Sequence, residues 1–60
     1  MKQLMITEDN TMVLSSLSDF VKENADTMSF TESNQVLQLK LDESCYISTH
    51  CGYVTVTRIK

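Results

Sequence analysis

The segment STHCGYVTV, residues 48–56, holds most of the side chains that could do chemistry. It places the only histidine, His50, beside Cys51, which directly precedes the only glycine, Gly52. Cys45 lies a few residues upstream, shortly after the acids Asp42 and Glu43. These residue types could form a metal site from both cysteines, the histidine and an acid. They could also form a nucleophilic centre in which His50 activates the thiol of Cys51.

The spacing argues against both chemistries. Structural zinc needs four converging ligands, usually as two paired motifs, whereas this chain has C-x4-H-C with no second pair. Sequence neighbours such as His50 and Cys51 rarely hold a base and a thiol in productive geometry, and no third group orients them. We therefore expect no enzyme, no catalytic residue, no metal and no cofactor. A metal or redox module centred on Cys51 is kept as an alternative.

The same segment is instead typical of a turn between two strands. Placing Ile47 opposite Val54, and Cys45 opposite Val56, brings the apolar faces of the two strands together, and a one-residue slip would reverse every side chain. This register puts His50 and Cys51 at the tip, within a loop of residues 49–52. Gly52 then supplies an unusual backbone angle. Cys45 is predicted to be a core thiol, with no disulfide to Cys51.

The spacing of apolar residues predicts the strands and the helix that position this hairpin. Residues 2–7 alternate as a strand, and 11–14 are either a return strand or the lead into a helix. A helix is predicted at about 16–26, with Ser16 and Asp19 resembling a capping box. Its apolar stripe is Leu14, Leu17, Phe20, Val21, Ala25 and Met28.

Further along the chain the period changes to two. Residues 27–31 are either a short strand or a loop. Leu37, Leu39 and Leu41 alternate with polar residues and predict a strand that pairs with 45–47. The fold class is therefore α+β, with one short amphipathic helix on an antiparallel sheet of three to five strands and a C-terminal β-meander. Residues 1–60 are expected to form a single small domain.

The net charge of the chain limits the classes of partner that it is expected to bind. The chain has a net charge of −3, and the stretch from Glu8 to Glu43 holds eight acids against two lysines, a net charge of −6. Nucleic-acid binding draws its non-specific affinity from Lys and Arg, so direct binding to nucleic acid is not expected. No apolar run approaches a membrane span, and the first ten residues do not resemble a signal peptide. With two cysteines and no such signal, we expect a cytoplasmic protein with free thiols and no membrane partner.

Two surfaces are candidates for binding another protein. One is the polar face of the C-terminal sheet, where Tyr46 and Tyr53 would be diagonal neighbours, since tyrosine is enriched at interface hot spots. Lys40 and Thr55 would share that face. The other is the acidic segment, represented by Glu8, Asp9, Asp42 and Glu43.

These surfaces lead to the expected function, a small non-catalytic protein-binding module that masks a partner's surface. Inhibitors, antitoxin-like proteins and adaptors of bacteria and phages act in this way, which is an analogy of size and charge. The alternative is an acidic mimic of nucleic acid that blocks a nucleic-acid-binding enzyme. If the last strand, YVTVTRIK, lies at a sheet edge, a homodimer through that strand is also expected.

Overall fold

Alternating apolar residues build an antiparallel sheet in the computed structural model, which describes residues 2–50 and 52–60. The order of the strands across the sheet is β2-β1-β4-β3. The predicted α+β class is confirmed. The described elements are β1 Gln3–Glu8, β2 Thr11–Ser16, α1 Leu17–Glu23, α2 Phe30–Leu37, β3 Ser44–Thr49 and β4 Gly52–Arg58.

The core lies on one face of this sheet. Because successive strand residues point to opposite faces, Leu4, Ile47, Val54 and Val56 come together, and each is at most 3% exposed. Side chains from the two helices and their flanking turns cover this face, so the opposite face is left without a helix. The covering side chains that are buried are Phe20, Met28, Val36 and Leu39.

The C-terminal hairpin has the predicted register. Ile47 lies opposite Val54, Cys45 opposite Val56, and Thr49 opposite Gly52. Gly52 has a φ of 101°, an angle that side-chain-bearing residues rarely adopt. The Thr49 hydroxyl donates a 2.8 Å hydrogen bond to the Gly52 carbonyl and closes the turn.

Residues 11–14 are part of a strand, so the return strand is the correct one of the two readings. The helix that follows begins at Leu17, after Ser16, whose hydroxyl accepts from the Asp19 N–H as an N-cap. It ends at Glu23 rather than near 26, because Asn24 caps the Phe20 carbonyl with both its backbone and its side-chain amide.

The predicted apolar stripe is therefore only partly correct. Leu17, Phe20 and Val21 lie on α1, but Leu14 belongs to β2. Ala25 is exposed in the turn that follows the helix. Met28 is buried, but it also lies beyond the end of α1.

The strand predicted across Leu37–Leu41 is wrong, because α2 occupies Phe30–Leu37. Ser29 and Glu32 form a capping box in which each side chain accepts the other's backbone N–H. The alternating leucines do not share a buried face, since Leu37 and Leu41 are exposed and only Leu39 is buried. Of residues 27–31, the first lie in a turn and the last begin this helix.

The last strand does not lie at an edge of the sheet. β4 is central and pairs with both β1 and β3, so its backbone groups are already used. The condition stated for a homodimer through this strand is therefore not met. The edges of the sheet are β2 and β3. Within residues 2–50 and 52–60, no helix is long and apolar enough to cross a membrane.

Candidate functional site

The two helices cover one face of the sheet and leave the other uncovered. We call the uncovered face the open face. Each strand contributes three side chains to it, because positions along a strand alternate between faces. They are Gln3, Met5 and Thr7 from β1, Met12, Leu14 and Ser16 from β2, Ser44, Tyr46 and Ser48 from β3, and Tyr53, Thr55 and Thr57 from β4.

None of these side chains carries a formal charge, although charged residues make up 22% of the chain. The large members are strongly exposed: Met12 by 66%, Leu14 by 65%, Tyr46 by 75% and Tyr53 by 77%. Depletion of charge with enrichment of Tyr and Met is the composition of the centre of a protein interface. The open face therefore differs from a generic solvated surface.

The register arranges the open face in rows. Met12 lies beside Thr7, Thr7 beside Thr55, and Thr55 beside Tyr46. Tyr53 lies opposite Ser48, which makes it the predicted diagonal neighbour of Tyr46. The face thus has an apolar side on β1 and β2, a central stripe of threonines, and a tyrosine pair on β4 and β3.

Among the predicted partner-binding residues, Tyr46, Tyr53 and Thr55 lie together on the open face. Lys40 does not join them, because it lies in the loop after α2 rather than on a strand, and its N–H donates 2.7 Å to the Glu43 carboxylate. Its predicted place on the same sheet face as Tyr46 is wrong, because residues 37–41 do not form a strand.

The four predicted acids are divided between two ends of the sheet. Glu8 and Asp9 lie at the β1–β2 turn. Asp42 and Glu43 lie at the opposite end, where their backbones bond to Arg58, the strand neighbour of Leu4. Leu4 and Glu8 are separated by about 13 Å along β1. The acids form two separate clusters, one at each end.

Sequence reasoning missed the apolar side of the open face. It counted Leu14 in the helix stripe, although it left residues 11–14 open as a return strand, and it did not join Leu14 with Met5 and Met12. Pairing β1 with β2 around the Asp9 and Asn10 turn would have brought the three together, since Met5 lies directly opposite Leu14. The signal was the short EDN turn between two runs of alternating residues.

In the described residues, STHCGYVTV forms the end of β3, the turn at His50 and the start of β4. Cys51 lies outside the described residues. His50 is exposed in the turn, and residues 2–50 and 52–60 contain no group of three or more metal-ligating side chains. Burial raises the pKa of the Cys45 thiol, and the Glu32 carboxylate raises it further. Both effects favour the protonated form of this half-buried thiol.

A shallow groove lies on the helix side of the sheet, between α1 and the strands. Its lining includes Ile6, Val13, Phe20, Glu23 and Asn24, and its volume is about 160 Å³. Sites for small molecules usually occupy about 300–1,000 Å³. The groove is therefore smaller than a typical site for a small molecule.

Comparison with protein-family models, with curated proteins and with solved structures finds no match to this chain. The open face and its surroundings are therefore the basis of the proposed function.

Proposed function

We propose that this chain is a small non-catalytic protein-binding module that acts by covering a partner's surface with its open face. The observation that carries the proposal is the uncharged, Tyr- and Met-containing open face of an acidic chain. Masking a surface in this way is how an inhibitor or adaptor would act. A cytoplasmic location is part of the same proposal.

The chemistry of the face favours a protein over a nucleic acid. A nucleic-acid surface needs Lys and Arg to neutralise phosphates, and no such side chain lies on the open face. Tyr46 and Tyr53 offer large rings and hydroxyl groups, which combine apolar burial with hydrogen bonding. Thr55 places a hydroxyl between the tyrosines and the methionine side.

The composition of the open face also indicates what the contact surface of the partner would be like. Its contact surface would be neutral and partly apolar at the centre, with hydrogen-bonding groups that meet the hydroxyls of Tyr46, Tyr53 and Thr55. Acids lie at both ends of the sheet, at Glu8 with Asp9 and at Asp42 with Glu43. Basic groups around the partner's contact surface would complement these ends and speed association.

Affinity capture from bacterial lysate, followed by mass spectrometry, tests the proposal. The bait proteins are the wild type, the double variant Tyr46→Ala with Tyr53→Ala, and Phe30→Ala. Phe30 is a matched control, because it is an aromatic residue that is 84% exposed but lies on α2. We expect one stoichiometric protein that the wild type and Phe30→Ala capture and the double variant loses.

Other outcomes count against the proposal. Capture that survives in the double variant, or is lost in Phe30→Ala, would move the binding surface elsewhere, and no stoichiometric partner would contradict a binding module. A nucleic-acid-binding enzyme that is lost at moderate salt, and on charge reversal of Glu8, Asp9, Asp42 and Glu43, would instead support the acidic mimic.

A further inference from the structure

The two edge strands, β2 and β3, differ in whether their outward backbone groups are hydrogen-bonded. In an antiparallel pair, consecutive residues direct their backbone N–H and C=O alternately toward the partner strand and away from it. The Leu17 N–H donates to the Lys2 carbonyl, and this fixes the phase along β2. Thr11, Val13 and Ser15 face β1, while Met12 and Leu14 direct their backbone groups outward from the sheet.

The β3 edge is covered at one outward-facing residue, Ser48. The Arg58 N–H donates to the Glu43 carbonyl, so Tyr46 and Ser48 face outward by the same alternation. The Ser48 N–H donates 2.8 Å to Glu32, and the Ser48 carbonyl accepts a 3.2 Å bond from the Thr27 hydroxyl. Both outward backbone groups of Ser48 are therefore occupied by side chains of the same chain.

The β2 edge has none of the usual protection. Proteins protect an edge with charge, proline, a bulge or a covering element. Residues 11–18 contain neither a charge nor a proline, and all six pairs with β1 keep one register without a bulge. Met12, Val13 and Leu14 are 66%, 54% and 65% exposed. This edge presents free backbone groups flanked by apolar side chains on both faces.

We propose that two copies of this chain pair antiparallel through β2, with Val13 of one copy opposite Val13 of the other. In this register Met12 lies opposite Leu14 of the second copy, so apolar side chains meet on the open face as well as on the helix face. The outward N–H and C=O groups of Met12 and Leu14 then form intermolecular hydrogen bonds. Thr11 and Ser15 pair at the ends.

A second copy fits this edge because the edge is complementary to itself. Shifting the pairing to place Leu14 on the two-fold axis would put Met12 opposite Ser16 and Val13 opposite Ser15. The shift in the other direction would put Leu14 opposite Asn10. Only the Val13-centred pairing matches every apolar residue with another. Because β2 is uncharged, two copies of it can approach without like-charge repulsion across the seam.

Pairing of two copies through β2 also enlarges the surface that a partner could contact. This consequence rests on the proposed function of the open face. Four strands of about six residues cover roughly 20 Å by 20 Å, or about 400 Å². A standard protein interface buries about 800 Å² on each partner. The two-fold axis runs perpendicular to the sheet, so the two open faces join side by side. The dimer then presents a continuous face of about that standard area.

Analytical ultracentrifugation with reductant tests the dimer on wild-type protein and on a charge pair. We expect the wild type to sediment at twice the mass of one 6.8 kDa chain. Val13→Lys and Val13→Glu each place like charges opposite one another and should dimerise at least about tenfold more weakly. An equimolar mixture of the two should recover the dimer. Gln35→Lys and Gln35→Glu on exposed α2 are the matched controls and should dimerise as the wild type does.

Hydrogen exchange on the wild type tests the register without any variant. The amides of Met12 and Leu14 should be protected at high concentration and exchange freely on dilution, whereas the Val13 amide, which faces β1, stays protected at both. A wild type that remains monomeric up to about 1 mM would overturn the proposal. Met12 and Leu14 amides that exchange freely even at high concentration would do the same, as would a charge-pair mixture that does not dimerise. A dimer without a captured partner would refute only the proposed function.

Discussion

Consecutive residues of β3 lie on opposite faces of the sheet, so truncating them should have different effects on stability. Ile47 is 0% exposed and packs in the core, whereas Tyr46 is 75% exposed on the open face. Truncating a buried isoleucine to alanine removes apolar burial and leaves a cavity, which costs about 2–5 kcal/mol. Truncating Tyr46 removes more atoms but little burial, so its replacement by alanine should cost at most about 1 kcal/mol.

Urea unfolding followed by circular dichroism measures both free energies. A chain of this length has about 3–9 kcal/mol of stability in total, so Ile47→Ala could approach complete unfolding. Ile47→Val is therefore measured as well and should cost about 0.5–1.5 kcal/mol. The slope of the free energy against urea should stay close to that of the wild type, because the area exposed on unfolding hardly changes.

The ranking of the two alanine variants is decisive for the register. A slip of one residue would bury Tyr46 and expose Ile47. A loss of stability in Tyr46→Ala as large as that in Ile47→Ala would refute the assignment of the two faces. It would also remove Tyr46 from the candidate binding surface.

Three further predictions concern local devices of the fold. Two backbone N–H donors hold the pKa of Glu32 below its ordinary value near 4.5. Its contribution is therefore present above that value and is lost as the pH falls through the lower folded-state pKa. Glu32→Gln should unfold at lower urea at neutral pH and lose less of its stability on acidification than the wild type. Gly52→Ala should cost about 1–3 kcal/mol from backbone strain at positive φ, with no clash at the new Cβ, and normal stability would refute that turn. Ser29→Ala should cost about 1 kcal/mol by removing the N-cap of α2, and Ser29→Asp should restore it in the same thermal unfolding assay.

The sequence was most informative where a local rule and a tertiary need agree. In the C-terminal hairpin, alternating β-branched residues and Gly52 specify both the turn and the register. At α2 two local signals conflicted. The alternation of Leu37, Leu39 and Leu41 indicated a strand, but the Ser29 and Glu32 capping box specified a helix.

The order of the strands had no local signal. β4 pairs with β1, which lies at the other end of the chain, and a periodic pattern cannot show which strands become neighbours. Only part of the open face could therefore be predicted from the sequence. Tyr46 and Tyr53 belong to one hairpin and could be placed together, whereas Met12 and Leu14 join them only through the central strands.

Isothermal titration of the purified captured partner against the wild type and the double variant Tyr46→Ala with Tyr53→Ala tests the central claim most directly. Since a hot-spot side chain contributes about 2 kcal/mol or more, we expect the Kd to rise at least about 100-fold while both proteins stay folded. A Kd that changes less than about threefold would contradict the claim that the open face is the binding surface.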